Sequence, residues 1–262
     1  TTGGNNTASG YQALRQNTTA ANNTAVGFSA LTANTTGAEN TAVGSEAGDA
    51  ITTGAENVAL GYGALSATTT ASYNTAVGKS SLGSNTTGEY NTAVGKSAGA
   101  AVTTGIQNTL IGGLAGDVLT DADYNVAVGV SALGADTKGN KSVAVGYSAL
   151  TAQNFTSSTD TLNTAVGYQA GAAVTTGLNN TLIGALSGDA ITDADYNTAV
   201  GAGTLSTNVL GSGSTAMGFN VLYNQNPASA VSMYNTAYGY AAASQLSTGI
   251  QNTLIGGLAG DA

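Results

Sequence analysis

The residues in this sequence best suited to chemistry are two short acidic stretches. Asp121, Asp123 and Asn125 alternate within "TDADYN", and Asp193, Asp195 and Asn197 repeat the pattern. Alternating oxygen donors are the signature of a calcium loop, which also requires a sharp-turn glycine and a distant bidentate glutamate. Neither follows here, so solvated corner acids are the first expectation. A weak calcium site, helped by Asp117 or Asp189, is the second. Other chemistry is poorly supplied. With no His, no Cys and only five basic residues, no nucleophile and base can be assembled. A carboxylate pair for glycoside cleavage is conceivable among fourteen acids, but no two converge in the pattern. No catalytic, cofactor-binding or metal residue is therefore assigned, and a non-enzymatic role is expected.

The elements that carry these residues follow from a repeat. A five-residue signature begins at 6, 23, 40, 57, 74, 91, 108, 125, 142, 163, 180, 197, 214, 235 and 252. The interval is 17 except after 142 and 214, where it is 21. The consensus N-T-A-V-G-x-x-A-L-x-x-x-T-T-G-x-x leaves no residues for a separate domain. Position five is glycine in all fifteen copies and position one asparagine in thirteen, with Ser142 and Ser214 the exceptions. Glycine there implies a positive φ or a close backbone approach; asparagine implies a turn-stabilising amide ladder.

Between them runs a short strand. Its parity places positions two and four, Thr or Val and mostly Val, toward the interior, leaving positions three and five as a flat Ala and Gly face outside. Where position nine is leucine (Leu31, Leu65, Leu133), position twelve is polar (Asn34, Thr68, Asp136); where nine is glycine (Gly48, Gly99, Gly116, Gly171, Gly188), twelve is aliphatic (Ile51, Val102, Leu119, Val174, Ile191). Both positions must reach the same interior space, because a close-packed core tolerates neither a void nor a double filling.

The fold class expected is all-β: a parallel β-solenoid of about fifteen 17-residue turns with two short strands each, stacked because no turn can bury its apolar side alone. At about 4.8 Å per turn this gives a rod of roughly 70 Å. Residues 1–262 form one repetitive segment, uncapped at both ends and expected to belong to a longer array. Residues 91–162 and 163–234 are successive 72-residue units, and a third begins at 235.

Aromatic residues fall in columns at position six, including Tyr11 with Phe28 and Tyr147 with Tyr168, and at position seventeen, including Tyr73 with Tyr90. Stacking between turns is the expected use, and sugar platforms the alternative. The insertions within "TAQNFTSSTDTL" and "YNQNPASAVSMY" are expected to bulge as surface loops. A net charge of −9 disfavours nucleic acid and anionic membranes as partners. No apolar run is long enough to span a bilayer and no leader pattern opens the chain.

"KSVAVG" at 141–146 and the many "NTAVG" copies resemble the head repeats of YadA-like trimeric autotransporter adhesins. "GYQAL" at 10–14, "NTAVGYQA" at 163–170 and "NTTG" at 34–37 are similar to repeats of phage and prophage tail-fibre proteins. The resemblance implies a left-handed β-roll in a homotrimer, with the Ala and Gly face toward the threefold axis. It also implies an extracellular, cell-surface or virion location and a structural shaft that presents a binding tip to a receptor or host-surface glycan. Ice or surface binding by a solenoid monomer, and polysaccharide binding by a fibre segment, are the alternatives.

Overall fold

A computed structural model describes residues 2–261. The described chain is all-β with no helix, a parallel β-solenoid of about 15 turns of about 17 residues. It comprises two compact units, one ending at Ala127 and one beginning at Val128. Each unit repeats one motif: a three-residue strand at positions two to four, paired in parallel with the same three positions of the adjacent turn. In the first unit Thr24, Ala25 and Val26 sit beside Thr41, Ala42 and Val43. In the second, Thr164, Ala165 and Val166 sit beside Thr181, Leu182 and Ile183.

Backbone geometry at its two ends sets the strand's length. Position seventeen, just before it, is left-handed in residues as different as Glu39, Tyr73 and Leu162. Position five, just after it, is a glycine with φ between 124° and 141° in every copy. A Cβ on Gly95 would lie 2.5 Å from the carbonyl oxygen of Gly112 in the next turn. Both reasons for glycine given by the sequence therefore hold at once.

The second strand expected in each turn is replaced by tandem turns. Positions seven and nine are left-handed, as at Ser29 and Leu31, and alternate with neighbours that are not. The N–H of Thr32 consequently reaches back to the carbonyl of Ser29, while that of Leu31 reaches across to Ala47 in the next turn. The alternation defeats strand assignment from composition because leucine and serine have no preference for φ above zero. Among the described residues, paired second strands occur at the two long repeats alone, where Thr159–Asp160 joins Gly139–Asn140 and Val231–Ser232 joins Gly211–Ser212. The insertions thus pair back onto the preceding turn rather than simply bulging. They also contribute the buried side chains of Phe155 and Met233.

The faces of the main strand are the reverse of the parity expectation. Ala25, Ala42, Ala59, Ala76 and Ala93 are buried at 0–1% exposure, whereas Val26, Val43, Leu60 and Val94 are 36–38% exposed. Position two, as at Thr24 and Val58, is half-buried. The reason is volume. The interior is already occupied by the leucine of position nine or the aliphatic residue of position twelve, both fully buried, which leaves room for a methyl but not for a second branched side chain.

The exchange between positions nine and twelve is as expected: a Cβ branch on Gly48 would collide with Ile51 at 2.9 Å and Leu31 at 3.1 Å. A third position joins it. Leu110 and Leu182 take the place of the small alanine at position three, and each is admitted by two glycines. Added Cβ atoms on Gly99 and Gly116 would meet Leu110 at 2.7 and 2.8 Å, and on Gly171 and Gly188 would meet Leu182 at 2.7 Å.

Candidate functional surface

The asparagine of position one is structural. Asn40 donates its N–H to Asn23 Oδ1 at 2.8 Å and its Nδ2 to the Gly54 carbonyl at 2.8 Å, and the step repeats at Asn57 and Asn74. Serine interrupts the ladder twice, and each time a glutamine at position twelve restores the missing amide. Gln153 Nε2 donates to Ser142 Oγ at 2.8 Å and to Asp136 Oδ2 at 2.6 Å, and Gln153 Oε1 accepts from Asn163 Nδ2 at 2.9 Å. Gln225 stands in the same relation to Ser214 and Asn235. The coincidence of Ser at one with Gln at twelve was visible in the sequence, but only the geometry shows the substitution.

The two acidic stretches are absorbed into this framework. Asn125 and Asn197 are buried in the ladder, their N–H groups donating to Asn108 and Asn180 Oδ1 at 3.0 Å. Asp123 Oδ1 accepts the Ile106 N–H at 2.8 Å and Asp195 Oδ1 the Leu178 N–H at 2.7 Å, each in the turn before. Asp121 and Asp193 accept from the adjacent hydroxyls of Thr120 and Thr192. Among the described residues no group of three His, Cys, Asp or Glu side chains stands together at metal-binding spacing.

Asp49, Asp117 and Asp189 share position ten. Burial raises all three carboxyls above the ordinary aspartate range. Asp49 Oδ1 and Asp189 Oδ1 are buried with no hydrogen-bond partner.

All three aromatic pairs singled out from the sequence are stacked. Ring centroids lie 5.5 Å apart for Tyr11 and Phe28, 4.8 Å for Tyr73 and Tyr90, and 5.6 Å for Tyr147 and Tyr168. Phe219 and Tyr240 form a fourth stack at 5.5 Å. Because partners occupy successive turns, each ring covers one face of the other and keeps its outer face exposed. A saccharide packs on an aromatic face, so the stacked interiors of these pairs are not sugar platforms.

No family model, curated protein or solved structure matches this chain. Its own surface therefore carries the functional argument. The most regular feature of that surface is the outer face of the main strands: a column of threonine, with valine at 58, 126 and 143, beside a column of aliphatic side chains. Val26, Val43, Leu60, Val94 and Ile111 stand 36–38% exposed in the first unit, and Ile183 and Met217 38–39% in the second. An exposed apolar column of this kind within a unit is characteristic of a surface that meets another.

Proposed function

We propose that this chain is a non-enzymatic structural shaft, part of an extracellular or virion-borne fibre in which three copies associate and present a binding tip. The observation that carries this reading is the outward aliphatic column at position four. The alanine face that the resemblance placed on the threefold axis lies inside each coil, so the Thr and Val face takes that place. The similarity of the NTAVG repeats to adhesin heads and tail-fibre proteins supports the same reading, as does the engagement of every distinctive polar motif in holding the coil together.

A flat array of threonine and valine also fits ice binding, the second reading. Side-chain size decides between them. Position four carries Val43, Leu60, Ile111, Met217 and Tyr238, which keeps the column apolar but breaks the uniform spacing an ice lattice would select. Protein interfaces accommodate such variation by repacking. Replacing Val77 and Val94 together by aspartate is expected to convert the assembly to single chains that retain β circular dichroism. An assembly unaffected by these charges would remove the reading, and thermal hysteresis that they abolish would favour ice.

A further inference from the structure

Within the second unit, the aromatic column at position six is not continuous, and its interruption has a shape. Between Val130 and Gly257 it reads, in turn order, Tyr147, Tyr168, Ala185, Ala202, Phe219, Tyr240: two stacked rings, two exposed alanines, two stacked rings. Tyr147 covers one face of Tyr168, so the other face looks toward Ala185. Tyr240 likewise covers one face of Phe219, and the other looks toward Ala202. The two alanines thus floor a notch whose end walls are aromatic faces, and Leu186 and Ile183, 40% and 38% exposed, lie in the same turn as Ala185.

The notch has the dimensions of the ridge beside it. Tyr168 and Phe219 are three turns apart, about 14 Å at the usual strand spacing, which leaves about 11 Å between their surfaces after one ring thickness of roughly 3.5 Å. A stacked pair, with centroids 5.6 Å apart, is about 9 Å thick on the same basis. We propose that a second copy of this chain, parallel and displaced by two turns, seats its Tyr147 and Tyr168 in the notch. The same displacement places Phe219 and Tyr240 of the first copy against Ala185 and Ala202 of the second, so one offset satisfies both chains.

Asn220 Oδ1 stands beside Gly203 at the floor, so the match in thickness, rather than a lack of polar groups, is what favours a second stacked pair over a saccharide. The turns of Ala202, Phe219 and Tyr240 lie in residues 196–260, which contain no Asp, Glu, Lys or Arg, whereas the turn of Ala185 carries Asp189, Asp193 and Asp195. Because one offset fills both notches, the contact joins two chains side by side and is distinct from the in-register association through the Thr and Val face.

Filling the notch tests the proposal. The double variant Ala185→Tyr, Ala202→Tyr should fold, because position six already holds tyrosine at 147 and 168, and circular dichroism and melting check this. In sedimentation velocity over a concentration series, the parent is expected to show a concentration-dependent species larger than the face assembly. The filled variant is expected to lose that species while keeping the face assembly. A parent with no such species, or a filled variant that retains it, overturns the proposal.

Discussion

At the scale of single residues, two chemical constraints govern the coil. The first is steric: position five must be glycine because both its φ and the carbonyl of the next turn forbid a Cβ. Gly95→Val is expected to prevent folding of the surrounding turns, with a stability loss beyond the 1–3 kcal/mol of an ordinary overpacked site, whereas Glu56→Gln should melt like the parent. Circular dichroism melts of the two variants check this. The second is electrostatic. Burial raises the Asp49 carboxyl above its ordinary range, so the folded chain holds that proton more tightly than the unfolded one. Its contribution is favourable at pH below the ordinary aspartate value and is lost as pH rises through the raised one. Asp49→Asn should therefore raise the melting temperature at neutral pH and bring no gain at strongly acidic pH, as melts across pH 2–8 would show. Much at this scale was legible in the sequence: the glycine, the amide ladder, the exchange between positions nine and twelve and the stacked pairs all follow from comparing copies. The compensation of Ser142 by Gln153 was not, because it joins residues whose contact depends on the path of the corner.

At the scale of the element, the sequence misleads in a specific way. Alternation in a three-residue strand shows that alanine and valine point to opposite sides, but not which side is inside. The usual assumption that the larger hydrophobe is buried fails here because positions nine and twelve have already filled the coil. The decisive sign lay in the copies where position three becomes leucine: Leu110 and Leu182 each lie between two position-nine glycines and Leu254 beside Gly260, with the small Ala243 in the turn before, which is the behaviour of an interior residue. The tandem turns were hidden for a different reason, since left-handed leucine and serine carry no compositional mark. Ala93→Val is expected to overfill the coil and cost about 1–3 kcal/mol, while Val94→Ala should leave the stability of the coil nearly unchanged and weaken association instead. Reversed parity would exchange the two outcomes, and paired denaturation and concentration-dependence measurements separate them.

At the scale of the whole molecule, a repeat that spends its polar residues on ladders and corners, and its glycines on close stacking, leaves two surfaces with something to offer. One is the Thr and Val face, periodic with every turn. The other is the ridge and notch of position six, formed once, between Tyr168 and Phe219. The two surfaces correspond to two kinds of contact, one that binds copies into a shaft and one that sets shafts side by side. The first is the central claim, and the mass of the chain in dilute solution tests it most directly. Light scattering is expected to give three times the 25.3 kDa of one chain. A mass of 25.3 kDa, unchanged with concentration, would contradict the shaft and leave the outward face to another use.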